Sequence, residues 1–186
     1  QITMLPTNEL ERNETQIDIA NFTMTTDYVQ YKAEAPLKVI SSAVHNAGIG
    51  WYDTFLNRSI APDYDIYSVK EETYDFLVNN NFSPTSTVVM MTAVATKCAA
   101  IQTFTHAELE IVIMVTAGVG NGVDVTKTYL RDEQPHVGTI NTWVFINGKL
   151  TDEAFIQAMI TATEAKTKAL ADQQVTDAFT GTIATS

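Results

Sequence analysis

The sequence predicts an α+β fold: a single domain in which a mixed β-sheet is packed by a few helices, the longest of them near the C-terminus. Three observations carry this. Strand-like segments outnumber helical ones, they do not alternate with helices as in a doubly wound protein, and the one long helical pattern, from about Thr151 to Asp172, comes late. No repeat, low-complexity run or linker divides the 186 residues, which suit one domain with N-terminal strands over 1–36 and a core over 37–186.

The N-terminal part, Gln16 to Ala35, reads as two strands: Ile17-Asp18-Ile19 and Phe22-Thr23-Met24 alternate, and Tyr28-Val29-Gln30-Tyr31 is β-rich. Leu37 to Val44 is a further strand, and His45-Asn46-Ala47-Gly48-Ile49-Gly50 a small glycine-bearing loop after it, where a ligand can approach backbone amides closely. Trp51 to Ile60 reads as a short helix or an irregular segment, broken by Ala61-Pro62-Asp63. Lys70 to Asn80 predicts a helix, opened by Glu71 and Glu72 and stopped by Asn79 to Asn81. After the turn Ser83-Pro84-Thr85, Thr87 to Ala95 is a buried strand; Thr96 to His106 fits no single element.

Leu109 to Thr116 is a strongly apolar strand that runs into Ala117-Gly118-Val119-Gly120-Asn121-Gly122. Two strands thus end in Gly/Asn loops, which line one cleft if the strand ends are neighbours. Val123 to Pro135 is polar, a surface loop or lid. His136-Val137-Gly138-Thr139-Ile140-Asn141 leads into the apolar strand Thr142 to Ile146, and Asn147-Gly148 turns the chain. Thr151 is a good N-cap for the long helix, and Asp152 and Glu153 complement its dipole. Thr180 to Ala184 reads as a last short strand.

In the long helix a stripe forms at about 100° per residue: Phe155, Met159, Ala162, Lys166, Leu170. A lysine sits in the middle of an apolar face. Either it snorkels past the rim of the core, or it points into a site, where a desolvated lysine acts as a base or, when charged, stabilises an oxyanion. Glu164 falls on the polar side, where it either pairs with Lys168 or activates water.

Composition bounds the rest. A net charge of -11 argues against nucleic acid. One cysteine, Cys98, excludes an intramolecular disulfide and a cysteine zinc cluster; it reads as a small buried apolar residue rather than a nucleophile. Gln1 to Leu10 carries no signal-peptide pattern and Ile111 to Val115 is far too short to span a bilayer, so a cytoplasmic protein without a membrane partner is expected. No serine-hydrolase elbow, His-Glu-x-x-His or Ser-x-x-Lys motif is present. His45, His106 and His136 are far apart; folding can gather them as metal ligands or leave one as a general base, but no resident metal or other cofactor is expected. Trp51, Tyr52 and Trp143 suit either an apolar site wall or the core. A homo-oligomer stays open.

Gly138-Thr139-Ile140-Asn141, followed by a strand, a turn and a helix carrying Thr163-Glu164-Ala165-Lys166, resembles the adenosylcobinamide amidohydrolase family. So do Met90-Met91-Thr92-Ala93, Thr116-Ala117-Gly118-Val119-Gly120-Asn121, Thr180-Gly181-Thr182, and Ser41-Ser42-Ala43 with Asn46, Gly48 and Asn57. The resemblance runs from about Val39 to Thr182 and rests on the order and spacing of these segments. It implies hydrolysis of the aminopropanol amide of adenosylcobinamide, leaving adenosylcobyric acid for corrinoid salvage, with cobalt present only within the substrate. It places Lys166 and Glu164 at the chemistry and Asn46, Gly48, Asn57, Gly118, Gly138 and Thr182 around the corrinoid, where Thr182 is a nucleophile only if a base sits beside it. Asn141, Asn121 and Thr139 either hold the carbonyl oxygen or a corrin amide, Asn141 then at the chemistry, or shape the turns at the strand ends. His45 and His136, beside the glycine-bearing segments, are further candidates for the corrinoid. The alternative is a non-hydrolytic corrinoid-binding or interaction module using the same cleft.

Overall fold

The computed structural model describes residues 16–61, 64, 68–131 and 139–186. Strands β1 (Phe22–Met24), β2 (Tyr28–Ser41), β3 (Gly48–Ser59) and β4 (Thr87–Thr92) form one sheet in that order, and β5 (Ala100–His106), β6 (Leu109–Ala117) and β7 (Ile140–Asn147) form a second. Helix α1 covers Val69–Asn79, and α2, Asp152–Asp172, is the longest helix, near the C-terminus as expected. The fold is α+β, with its strands divided between two sheets.

The first sheet is mixed because β3 and β4 run parallel, Thr54 opposite Thr87 through to Ser59 opposite Thr92. Parallel neighbours need a crossover, and α1 supplies it. Its end is tied by Asn80, whose backbone and side-chain amides both donate to the Phe76 carbonyl, at 3.1 and 2.8 Å.

Trp51 to Ile60 is not a helix: all but its last residue belong to β3. The adjacent apolar pairs that break a strand's alternation have a simple cause. Thr54, Phe55, Leu56 and Asn57 are all buried, because β3 lies between β2 and β4 and is covered on both faces. Leu37 to Ser41 likewise continues β2 rather than starting a new strand; the register slips between Lys32 and Leu37, where Pro36 lacks the N–H that a ladder requires.

The tip of the β2–β3 hairpin folds back onto the edge of β4. The N–H groups of Val44 and His45 donate to the Val89 carbonyl at 3.0 and 3.3 Å, and Val89 N–H donates to the His45 carbonyl at 3.3 Å. The reversal uses left-handed backbone at Asn46 (φ 56°) and Gly48 (φ 94°).

The two sheets meet through an aromatic core. Phe22, Tyr31, Phe55, Trp143 and Phe145 pack with ring centroids 4.5 to 6.4 Å apart, mostly tilted or edge-to-face, with Phe22 and Trp143 stacked at the longest of these distances. A smaller cluster of Leu56, Leu77 and Val89 seats α1 on the far face of the first sheet.

Elsewhere the structure settles or corrects the expectations. Thr96 to His106 divides into a 3-10 turn, Thr96–Cys98, and β5. Cys98 is exposed, not buried, because that turn lifts it off the end of β4. Ile19 opens a 3-10 turn, Ile19–Asn21, capped by Asp18, instead of ending a strand. Val125–Leu130 forms another 3-10 turn within the expected polar loop. Thr180 to Ala184 forms no strand; only an isolated bridge joins Thr176 to Ile183. Pro62, Asp63, residues 132–135, His136 and Gly138 lie outside the described residues.

Candidate functional site

A cleft of about 330 Å³ opens beneath α2, between the C-terminal half of β2 and the edge of β7. The two strand edges follow from topology: Leu37–Ser41 pairs only with β3, and β7 only with β6, among the described residues. Val39, Met90, Trp143 and Phe155 give the walls an apolar character, and Ser41, Ser42, Thr142 and Thr163 add hydroxyls.

Helix α2 roofs this cleft instead of packing into the core. Only Leu170 of its residues is buried, while Ile156, Met159 and Ile160 are exposed. Its N-terminus follows the expected chemistry, with Thr151 Oγ1 accepting from Ala154 N–H at 3.3 Å. It is tied to β2 by Lys38, whose Nζ lies 2.6 Å from Asp152 and 5.7 Å from the centre of the Phe155 ring. Lys38 has no sequence signal of its own, because a lysine on an alternating strand is the ordinary solvent-facing residue.

Lys166 lines the cleft and is half-buried. It has no hydrogen-bond or ion-pair partner among the described residues. Glu164 is exposed and does not line the cleft, and Lys168 pairs with Asp172 rather than with Glu164. Ser41 Oγ accepts from Ala43 N–H at 3.0 Å and Thr163 Oγ1 donates to the Met159 carbonyl at 2.9 Å.

Asn57 and Asn141, 84 positions apart, come together in the interior. Asn141 Nδ2 donates to Asn57 Oδ1 and to the Met91 carbonyl, both at 2.7 Å, and Asn57 Nδ2 donates to Thr116 Oγ1 at 2.8 Å. Asn57 and Thr116 are fully buried and Asn141 is 3% exposed, so these side chains bond one another across β3, β6 and β7. One turn away, Gly118 N–H donates to the Thr139 carbonyl at 3.1 Å. A Cβ on Gly118 would stand 3.1 Å from Val94, so the glycine lets these strand ends approach closely.

The first Gly/Asn loop faces other partners. His45 Nε2 lies 2.8 Å from the Pro84 carbonyl, and Asn46 Nδ2 donates to the Pro84 and Thr87 carbonyls, both at 2.8 Å. The second loop, with Asn121, packs under the C-terminal segment, where a Cβ on Gly122 would stand 3.0 Å from Ala184. The two loops do not line one cleft.

Thr182 belongs to a fourth group. Its Oγ1 donates to Asp124 at 2.6 Å, while Asp177 accepts from the N–H groups of Asp124 and Phe179 at 2.9 and 2.8 Å and from the Arg131 guanidinium. Those backbone donors hold the Asp177 carboxyl well below the usual carboxylate range. The hydroxyls of Thr126 and Thr182 lower Asp124 as well. With backbone bonds from Val123 to Thr185 and Ser186, this network clasps the C-terminal segment to the 3-10 turn at Val125–Leu130. Sequence reasoning missed Asp124, Arg131 and Asp177, whose partners lie 46 and 53 positions apart with no local pattern joining them.

Among the described residues no group of three or more His, Cys, Asp and Glu side chains is placed to hold a metal ion, and no helix is long and apolar enough to cross a membrane. A family model described as adenosylcobinamide amidohydrolase matches residues 11–186. No curated protein and no solved structure matches the chain.

Proposed function

We propose that this chain, which belongs to the adenosylcobinamide amidohydrolase family and acts on a carbon–nitrogen amide bond, releases aminopropanol from adenosylcobinamide and leaves adenosylcobyric acid for corrinoid salvage. The observation that supports a place for this chemistry is Lys166. Helix α2 carries an ammonium with no partner among the described residues to the wall of an apolar cleft that also holds Ser41 and Ser42. All three residues fall in segments that resemble the family's motifs.

Amide hydrolysis needs a nucleophile at the carbonyl carbon, a donor for the developing oxyanion and a proton for the departing amine. In the proposed reaction the Lys166 ammonium faces the carbonyl oxygen. Low polarity along the cleft makes that interaction stronger than it would be in water. Ser41 and Ser42 orient the attacking water, whose oxygen joins the acyl carbon as the C–N bond breaks and whose protons leave with the amine. Asn141 acts from the interior: with Asn57 it holds the start of β7, and through it Thr139 beside Gly118, as a positioning residue. Cobalt takes part only as a component of the substrate, and no resident metal is required.

The test is incubation of the protein with adenosylcobinamide and mass analysis for adenosylcobyric acid, with and without chelator. Product is expected in both samples. Lys166→Met should lower turnover by about 100-fold or more while corrinoid binding persists. Unchanged turnover in this variant removes Lys166 from the chemistry. Product lost only with chelator shifts the role to the histidines. Retention of the corrinoid without product supports a binding module in place of the enzyme.

A further inference from the structure

We infer that the cleft beneath α2 is a site for a short aliphatic carboxylate, and that the acid freed by hydrolysis binds there more tightly than the amide it came from. This rests on the amidohydrolase reading only in naming the source of the acid.

Three observations lead to it. First, both charged residues that line the cleft are lysines, in a chain of net charge -11. Second, the two are not equivalent: the Lys38 ammonium is neutralised by Asp152 at 2.6 Å, whereas Lys166 has no partner among the described residues. A half-buried ammonium against apolar walls, with no anion among the described residues, is one that a carboxylate can neutralise through charge-assisted hydrogen bonds. Third, the volume of about 330 Å³ is small. It equals roughly ten waters at ~30 Å³ each. A propionyl arm with its aminopropanol has about nine non-hydrogen atoms, so one arm fits and a macrocycle several times larger stays outside.

The chemistry then sets the order of affinities. An uncharged amide offers Lys166 one carbonyl oxygen. After cleavage the arm ends in a carboxylate with two oxygens and a full charge, while its methylenes keep their place against Val39 and Phe155. The free acid is therefore the better ligand and inhibits the reaction that makes it. The hydroxyls of Ser42 and Thr142 stand along the same walls as further donors.

The experiment compares butyrate with the near-isosteric butyramide, by calorimetry and by competition against corrinoid turnover. Butyrate is expected to bind at least about tenfold more tightly, a difference of ~1.4 kcal/mol. Lys166→Met and Lys166→Gln should erase the preference with the circular dichroism spectrum unchanged, and Lys166→Arg should keep it. Lys38→Met should keep most of it, because that ammonium is already paired. Equal binding of the two probes, or a preference that survives both neutral replacements of Lys166, overturns the inference. Hydrolysis without a carboxylate preference defeats this inference and leaves the amidohydrolase reading standing; a preference without hydrolysis does the reverse.

Discussion

Replacing Asn141 with alanine tests how much of the fold rests on one buried amide. Its Nδ2 donates two 2.7 Å hydrogen bonds, to Asn57 Oδ1 and to the Met91 carbonyl, from a side chain that is buried. Truncation leaves two buried acceptors without that donor. Each loss costs roughly 1–3 kcal/mol, so the two together with a small cavity give an expected destabilisation of about 2–6 kcal/mol. For a chain of this size that corresponds to a fall in Tm of roughly 4–24 °C. Urea denaturation followed by tryptophan fluorescence measures it directly, since Trp143 lies two residues along β7. Asn57→Ala should cost a similar amount. Because the two share a bond, the double variant should lose less than the sum, by about 0.5–3 kcal/mol. A single-variant loss below about 1 kcal/mol, or strict additivity, would refute the claim that this amide network joins the sheets.

Other expectations are open to simple assays. Asp177 has a folded-state pKa below its unfolded value, so its contribution is present above the ordinary carboxylate range and disappears only as the pH falls toward the depressed folded value. Acid titration of the wild type should therefore keep the C-terminal segment ordered through pH 4, whereas Asp177→Asn should loosen it already at neutral pH, read as faster amide exchange at Val175 and Ala184. Burial and the hydrogen bond to Glu72 push the Tyr64 phenol up to about 12, so ultraviolet titration of wild type minus Tyr64→Phe should show a phenol that ionises near that pH and not near 10. Asp152→Asn removes the ion pair that ties α2 to β2. Since the Asp152 side chain is 71% exposed, global stability should change by less than about 1 kcal/mol while amide protection falls in the first turns of α2.

What the sequence revealed depended on how local the cause was. The cap at Thr151, the acidic first turns of both helices and the apolar run Leu109 to Thr116 act within a few residues, and each appears where the pattern put it. β3 was hidden because burial on both faces removes the alternation that identifies a strand. Lys166 could be singled out because a helix repeats its faces at a known angle, and the structure puts it on the cleft wall. The meeting of Asn57 with Asn141, and of Asp177 with Arg131 and Asp124, was not legible: such pairs are set by how sheets stack and segments cross, and neither residue's neighbours in sequence announce the partner. The same holds for the separation of the two Gly/Asn loops, which follows from a hairpin tip that turns back on β4.

The position of α2 in the chain also sets an order of assembly. Its roof and one wall of the cleft come from residues after 139, while the rest of the lining, which ends at Met90, is made well before them. The bonds that join them span long stretches of chain: 130 positions from Ile17 to Asn147, 114 from Lys38 to Asp152. During synthesis the four-stranded sheet therefore emerges with Tyr31 and Phe55 uncovered, and waits for β7 to bring Trp143 and Phe145. Contacts of such high sequence separation close slowly, and the nascent chain passes through a period in which its largest apolar surface is open to other chains.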